Sequence, residues 1–189
     1  FKNKINQRVF ISAGVCAMGS GLPDSIGIST AKNENDKVHL ICGDGSFQLN
    51  IQELQTIKDN KLNIKIFIFS NRSYLSIRHT QEQFLNSNFV GSTPEGGLNV
   101  PNIKKISKAY GLKYYSFDNI KKFIKIFSKI NSSLDPTIFE IKMDPNYEIK
   151  PRISFKKNPN GKIVAANIDD MYPFLKEDEI TNLKIKHEI

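Results

Sequence analysis

Two short stretches hold residue types able to do chemistry. Gly43-Asp44-Gly45-Ser46 follows the apolar run VHLIC, and Asn71 follows IKIFIFS. Asp44 offers a hard carboxylate oxygen suited to Mg2+ or Ca2+. Gly43 and Gly45 allow a tight turn and let backbone N–H groups come close to a ligand. Ser46 is expected to open a helix, whose first amides attract phosphate. Alone, Gly-Asp-Gly reads as an ordinary turn. Asn71 changes that reading. It lies 27 positions beyond Asp44, one helix and one strand further on. That is a single crossover, so both oxygens would emerge on the same edge of a parallel sheet. A carboxylate, an amide oxygen and a nearby backbone carbonyl can hold part of an octahedral metal site, with diphosphate oxygens and water filling the rest.

The elements that must position these groups alternate in type. Val9–Ala13, Val38–Cys42, Ile64–Phe69, Tyr114–Phe117 and Thr137–Ile141 read as strands. The run IKIFIF, strongly β-branched and aromatic, has the character of a buried strand. Leu22–Ala31 reads as a helix, with Pro23 in its first turn, where a missing N–H costs nothing. Phe47–Ile57 leans helical, Tyr74–Leu85 is a helix or ordered loop, and Ser87–Val100, with three glycines and Pro94, is a loop. Ile103–Tyr110 is a helix ended by Gly111. Ile120, Phe123, Ile124, Phe127 and Ile130 recur at helical spacing. The predicted fold class is α/β, a doubly wound parallel sheet with helices on both faces. Residues 1–145 form this domain. Residues 146–189 change character, with Pro145, Pro151 and Pro159 in or beside them and a hairpin-like Asn160-Gly161. They read as a C-terminal tail packed on the core, with Met171–Leu175 as an anchoring turn.

Composition narrows the classes. The chain has 189 residues, 39% hydrophobic and 24% charged, enough for an ordinary core. No apolar run reaches the ~18 residues of a membrane helix, and no secretory segment is visible. Two cysteines, Cys16 and Cys42, cannot make a disulfide framework, so a reduced cytoplasmic setting is expected. The net charge of +8 invites a nucleic-acid reading. The lysines are scattered among Ile and Asn, however, and no binding motif accompanies them, so a solvated basic surface is the better account. Neither nucleic acid nor membrane is an expected partner. His39 reads as structural and His187 as an exposed tail residue. His79 lies near the proposed site. No His/Cys spacing suggests zinc. The first residue, Phe1, suggests a fragment or processed product.

GDGS, followed at this interval by Asn after an apolar strand, resembles the thiamin-diphosphate signature of the acetolactate synthase and pyruvate decarboxylase superfamily. Upstream, Ala13 to Pro23 (AGVCAMGSGLP) is similar to the family's glycine-rich stretch ending Met-Gly-x-Gly-Leu-Pro. Downstream, Tyr74 to Gln81 (YLSIRHTQ), FEIKMDP and IDDMYPFL resemble an acetolactate-synthase-like branch associated with bacterial surface polysaccharides. The resemblance covers nearly the whole chain, as the family's C-terminal, diphosphate-binding domain. It implies thiamin diphosphate and Mg2+ as cofactors. The metal would take Asp44, the Asn71 side chain and the Ser73 carbonyl. Gly43, Gly45 and Ser46 would cradle the diphosphate. Met18 would wedge between the cofactor rings, the Cys16 carbonyl would accept from the aminopyrimidine, and Tyr74 and Leu75 would continue the wall. Ser76, Ile77 and Thr80 would approach substrate.

No catalytic residue is expected within these residues, because the family's activating glutamate comes from a pyrimidine-binding domain. That domain, of the same protein and from another subunit, is the implied partner, in a homo-oligomer (dimer or tetramer) acting on a small 2-oxo acid. The resemblance also leaves room for FAD in a middle domain. Three departures stand out. Cys16 replaces a usual glycine, Arg72 a frequent Asn or Gln, and Thr80 the tryptophan of true acetolactate synthases. The last favours a different acceptor, such as a keto-sugar. Competing readings are a thiamin-diphosphate-binding regulatory or structural module, and a basic nucleic-acid-binding domain.

Overall fold

Ile64–Ser70, strand β2, has its first five residues buried, as a strongly β-branched and aromatic run favours, and Lys65 is buried with them. Around it the computed structural model, which describes residues 2–12, 14–32, 36–176 and 178–182, builds a four-stranded parallel sheet. The other strands are β1 (Val38–Gly43), β3 (Lys113–Phe117) and β4 (Thr137–Lys142), in the spatial order β1-β2-β4-β3. Every pairing is parallel.

The helices are α1 (Gly21–Ala31), α2 (Asp44–Gln48), α3 (Glu53–Asp59), α4 (Leu75–Phe84), α5 (Ile103–Ala109) and α6 (Ile120–Ile130). They cover both faces of the sheet. On one face Leu22, Leu54, Ile57 and Ile103 from helices join Val38, Leu40, Ile64, Ile66, Ile68 and Ile138 from strands. On the other, Phe123, Ile126, Phe127 and Ile130 of α6 close over Phe67, Phe117 and Phe139. The chain is thus the doubly wound α/β sheet its pattern predicts. It divides into two compact units, Phe1–Pro145 and Asn146–Ile189.

Two expectations need correction in the first unit. Residues 9–12 form no strand, and Val9, Phe10 and Ile11 are 45%, 61% and 77% exposed; Ala13 lies outside the described residues. A β-rich sequence becomes a strand only beside a partner strand, and these residues have none. The expected continuous helix over Phe47–Ile57 is two short ones. Asn50 breaks it by turning its side chain to the Gly19 carbonyl (2.9 Å), the local competition with helix that asparagine favours.

At the amino end of β2, Lys65 is only 1% exposed. Its ammonium donates to Asn63 Oδ1 (2.9 Å) and to the carbonyls of Ser133 (2.8 Å) and Asp135 (2.6 Å). All three protons have acceptors, which offsets the cost of burying the charge. The bonds tie the α6–β4 connection to the sheet. Lys65→Met, which keeps the volume, is expected to cost about 2 kcal/mol of unfolding free energy, read from urea denaturation. An unchanged midpoint would show that the knot contributes nothing.

The second unit carries an antiparallel hairpin, β5 (Phe155–Lys157) with β6 (Ile163–Ala165), turning at Gly161 with φ +75°. Asn160-Gly161 thus lies in the turn that its composition suggests. Asp170, 5% exposed, pairs with Lys156 at 2.6 Å. Met171–Leu175 is not a turn. Tyr172 instead makes an isolated antiparallel bridge to Arg152, whose guanidinium lies 4.2 Å from the Tyr172 ring centre. His187 lies outside the described residues, none of which belongs to a helix long and apolar enough to cross a membrane.

Candidate functional site

Strands β1 and β2 end side by side, with Gly43 paired to Phe69 in the last register step. The turns that follow both strands leave the same edge, so Asp44 and Asn71 emerge together. Asp44 is 2% exposed. Its Oδ1 accepts from the Gly45 N–H (2.8 Å), and its Oδ2 from the Arg72 N–H (2.7 Å) and the Ser70 hydroxyl (3.4 Å). Asn71 Oδ1 accepts from the Ser73 N–H at 3.1 Å. The carboxylate and the carboxamide are therefore laced together through one backbone turn.

Burial pushes the Asp44 carboxyl above its ordinary value, and the N–H groups of Arg72, Gly45 and Asn71 only partly oppose the shift. No Lys or Arg forms an ion pair with it among the described residues. An uncompensated buried carboxylate is costly, and a cation beside it removes that cost. The Ser73 hydroxyl is buried nearby, also without a partner among the described residues. One carboxylate, one amide oxygen and hydroxyl or carbonyl oxygens make a hard donor set that fits Mg2+.

The glycine-rich stretch closes on this turn. The Ser46 hydroxyl accepts from the Gly19 N–H (3.0 Å), while Asn50 holds the Gly19 carbonyl. Gly45 must be glycine. A Cβ there would fall 2.1 and 2.4 Å from carbons of the Tyr74 ring and 3.5 Å from the Met18 methyl. Met18, Gly45 and Tyr74 thus converge. Gly43 has open space around it. Asp44, not Ser46, opens the helix α2, and that helix is only 5 residues long.

Leu75 begins α4, with Ser76 and Ile77 exposed beyond it. Thr80 is exposed but turns its hydroxyl back to the Ser76 carbonyl (3.1 Å), whereas His79 is buried. Cys16 is exposed, while burial pushes the Cys42 thiol up to about 12, leaving it protonated. Two of the departures noted in the sequence share a backbone conformation: Cys16 and Arg72 are left-handed, φ +50° and +58°. Glycine or asparagine adopts that conformation at least cost, so other residue types there are held by the surrounding turns.

Sequence reasoning missed a polar knot over α4. Gln81, Ser92 and Thr93 are buried. Gln81 donates to the Val90 carbonyl (3.0 Å) and accepts from the Ser92 hydroxyl. The Tyr74 N–H donates to the Ser92 carbonyl (2.9 Å). The signal available was three hydroxyl or amide residues spaced to face one another, indistinguishable in sequence from a solvated loop.

Residues 1–141 match the family described as thiamine pyrophosphate enzyme, C-terminal TPP binding domain. The chain is 32% identical over 163 residues to the acetolactate synthase large subunit of Porphyra purpurea, covering 86% of this chain and 27% of that protein. It is 28% identical over 142 residues to the acetolactate synthase isozyme 1 large subunit of Escherichia coli (strain K12), covering 75% and 25%. Among solved structures, the thiamine diphosphate-dependent 4-hydroxybenzoylformate decarboxylase of Rhodococcus jostii RHA1 superposes with a TM-score of 0.57. It shares 27% identity, over 67% of this chain and 23% of that one. The chain spans about a quarter of the length of the curated relatives it matches. A carboxylate and a carboxamide on one sheet edge, a glycine stretch locked against them, and these similarities agree: the chain belongs to the thiamine pyrophosphate enzyme family as a C-terminal TPP-binding domain, similar to that of acetolactate synthases.

Proposed function

We propose that this chain is the diphosphate- and Mg2+-binding half of a 2-oxo acid decarboxylase and carboligase. The observation that carries the reading is Asp44, a buried carboxylate without a cationic partner among the described residues, on the same sheet edge as Asn71. Asp44, Asn71 and the Ser73 carbonyl would hold the metal. Gly43, Gly45 and Ser46 would leave room for the diphosphate. Met18 would support the cofactor between its rings, the Cys16 carbonyl would accept from its amine, and Tyr74 and Leu75 would shield it from water. Thiamin diphosphate, when bound, supplies the electron sink that lets a 2-oxo acid lose CO2 and pass its two-carbon unit to a carbonyl acceptor.

The donor is proposed to be pyruvate. Thr80, in place of a bulky aromatic residue, supports an acceptor other than a second 2-oxo acid, such as a keto-sugar. A pyrimidine-binding domain of the same protein, contributed by another subunit of a homo-oligomer, would supply the activating glutamate, so these residues alone would not catalyse.

The metal is tested first. Calorimetric titration of the full-length protein with thiamin diphosphate is expected to give saturable binding with Mg2+ and none after EDTA treatment. Equal affinity with and without a divalent ion would refute the site.

A further inference from the structure

The connection between α4 and α5 reaches back to the turn that carries the site. Three successive N–H groups of the chain leaving β2 have fixed acceptors. Arg72 donates to Asp44 Oδ2 (2.7 Å), Ser73 to Asn71 Oδ1 (3.1 Å) and Tyr74 to the Ser92 carbonyl (2.9 Å). The first two acceptors belong to the site itself, and the third belongs to the connection. Ser92 is fully buried, and Gln81 nearly so. The Gln81 carbonyl accepts from the N–H groups of Leu85 and Ser87 (3.0 Å each), closing the end of α4. Its side chain accepts from the Ser92 hydroxyl and donates to the Val90 carbonyl (3.0 Å). Gln81 thus ties residues 90 and 92 to α4.

The bond from Tyr74 fixes more than Tyr74. Its N–H and the Ser73 carbonyl belong to one peptide group, which is trans. A planar trans peptide points its N–H and its C=O in opposite directions. Holding the N–H on Ser92 therefore turns the Ser73 oxygen to the side away from the connection. Donation by the N–H also polarises the carbonyl of the same group, making its oxygen a better ligand. Released from Ser92, the peptide plane could rotate and carry that oxygen with it.

We infer that Gln81 and Ser92 are positioning residues for the metal: they hold the Ser92 carbonyl against the Tyr74 N–H and so aim the Ser73 carbonyl as a ligand. This rests on the metal reading above, in which Asp44, Asn71 and the Ser73 carbonyl are the protein ligands. Asp44 and Asn71 are anchored by bonds within their own turn, so the third ligand is the one that depends on the connection. The consequence is selectivity. Mg2+ demands nearly ideal octahedral geometry, whereas Ca2+ accepts looser and more variable sites. A misaimed carbonyl therefore harms Mg2+ binding most.

The test is equilibrium dialysis of thiamin diphosphate against the full-length protein at graded Mg2+ or Ca2+, with thermal unfolding of the metal-free samples as a check on folding. Gln81→Met removes both side-chain bonds, and Ser92→Ala removes a single oxygen. Each is expected to raise the Mg2+ concentration for half-saturation about tenfold and that of Ca2+ no more than about twofold. The double variant should lose no more than about twofold beyond either single one, since both remove the same bond. Ser92→Thr, which keeps the hydroxyl, should restore the wild-type ratio of the two ions. A loss of equal size for both ions marks a general loosening of the fold and overturns the positioning role, as does unchanged affinity for both. A wild type that binds thiamin diphosphate equally without a divalent ion overturns the metal reading and this inference with it.

Discussion

Asp44→Asn is expected to weaken Mg2+-dependent binding of thiamin diphosphate by about 100-fold or more, the largest effect anticipated at the site. The substitution keeps the size of the side chain and removes its charge. In the metal-free protein the buried anion has no cationic partner among the described residues, and burial raises its carboxyl above the ordinary value. A raised carboxyl makes the metal-free fold lose stability as the pH climbs through that value. A bound cation removes the cost. The thermal stabilisation given by Mg2+ with cofactor should therefore grow from acid toward neutral pH, and Asp44→Asn should flatten that dependence. Calorimetry and thermal unfolding of the same samples separate lost binding from lost folding. Retained affinity in a folded Asp44→Asn protein would remove Asp44 from the metal site.

Phe139→Ala is expected to cost about 3–5 kcal/mol of unfolding free energy, a large share of the stability of a domain this size. Phe139 is 0% exposed on β4, between β2 and β3. Its ring stacks on Phe67 with centres 4.9 Å apart and planes 10° apart, and on Tyr115 at 5.9 Å. Phe123 and Phe127 of α6 meet it edge-on. Truncation would leave a cavity at the centre of an aromatic layer whose other members are fixed by the sheet, so collapse around it is limited. Denaturant unfolding measures the loss, and a change below about 1 kcal/mol would mean the layer repacks freely.

Legibility in the sequence followed how local each cause is. IKIFIFS announces β2 because a strand buried on both faces needs apolar residues at most positions, and all but Lys65 and Ser70 are apolar. The same composition misleads at Val9–Ser12, where strand formation depends on a neighbour. Asp44 and Asn71 were readable because strand, crossover and strand fix their shared edge through topology alone. The left-handed backbone at Cys16 and Arg72 was not, because turns around those residues impose it and their own side chains disfavour it. The ordered connection between α4 and α5 was hidden for a related reason: its anchors are hydrogen bonds from Tyr74 and Gln81, one element away.

The polarity of the parallel sheet separates two jobs along its length. The Lys65 knot sits where the strands begin, and Asp44, Asn71 and the glycine turns sit where they end. Inherited variation at the first end would surface as heat-sensitive protein that still holds its vitamin. Variation at the second would surface as robust protein that holds none. Two lesions of one gene, six positions apart on or beside β2, can thus call for opposite remedies: cooler growth for one, a repaired ligand for the other.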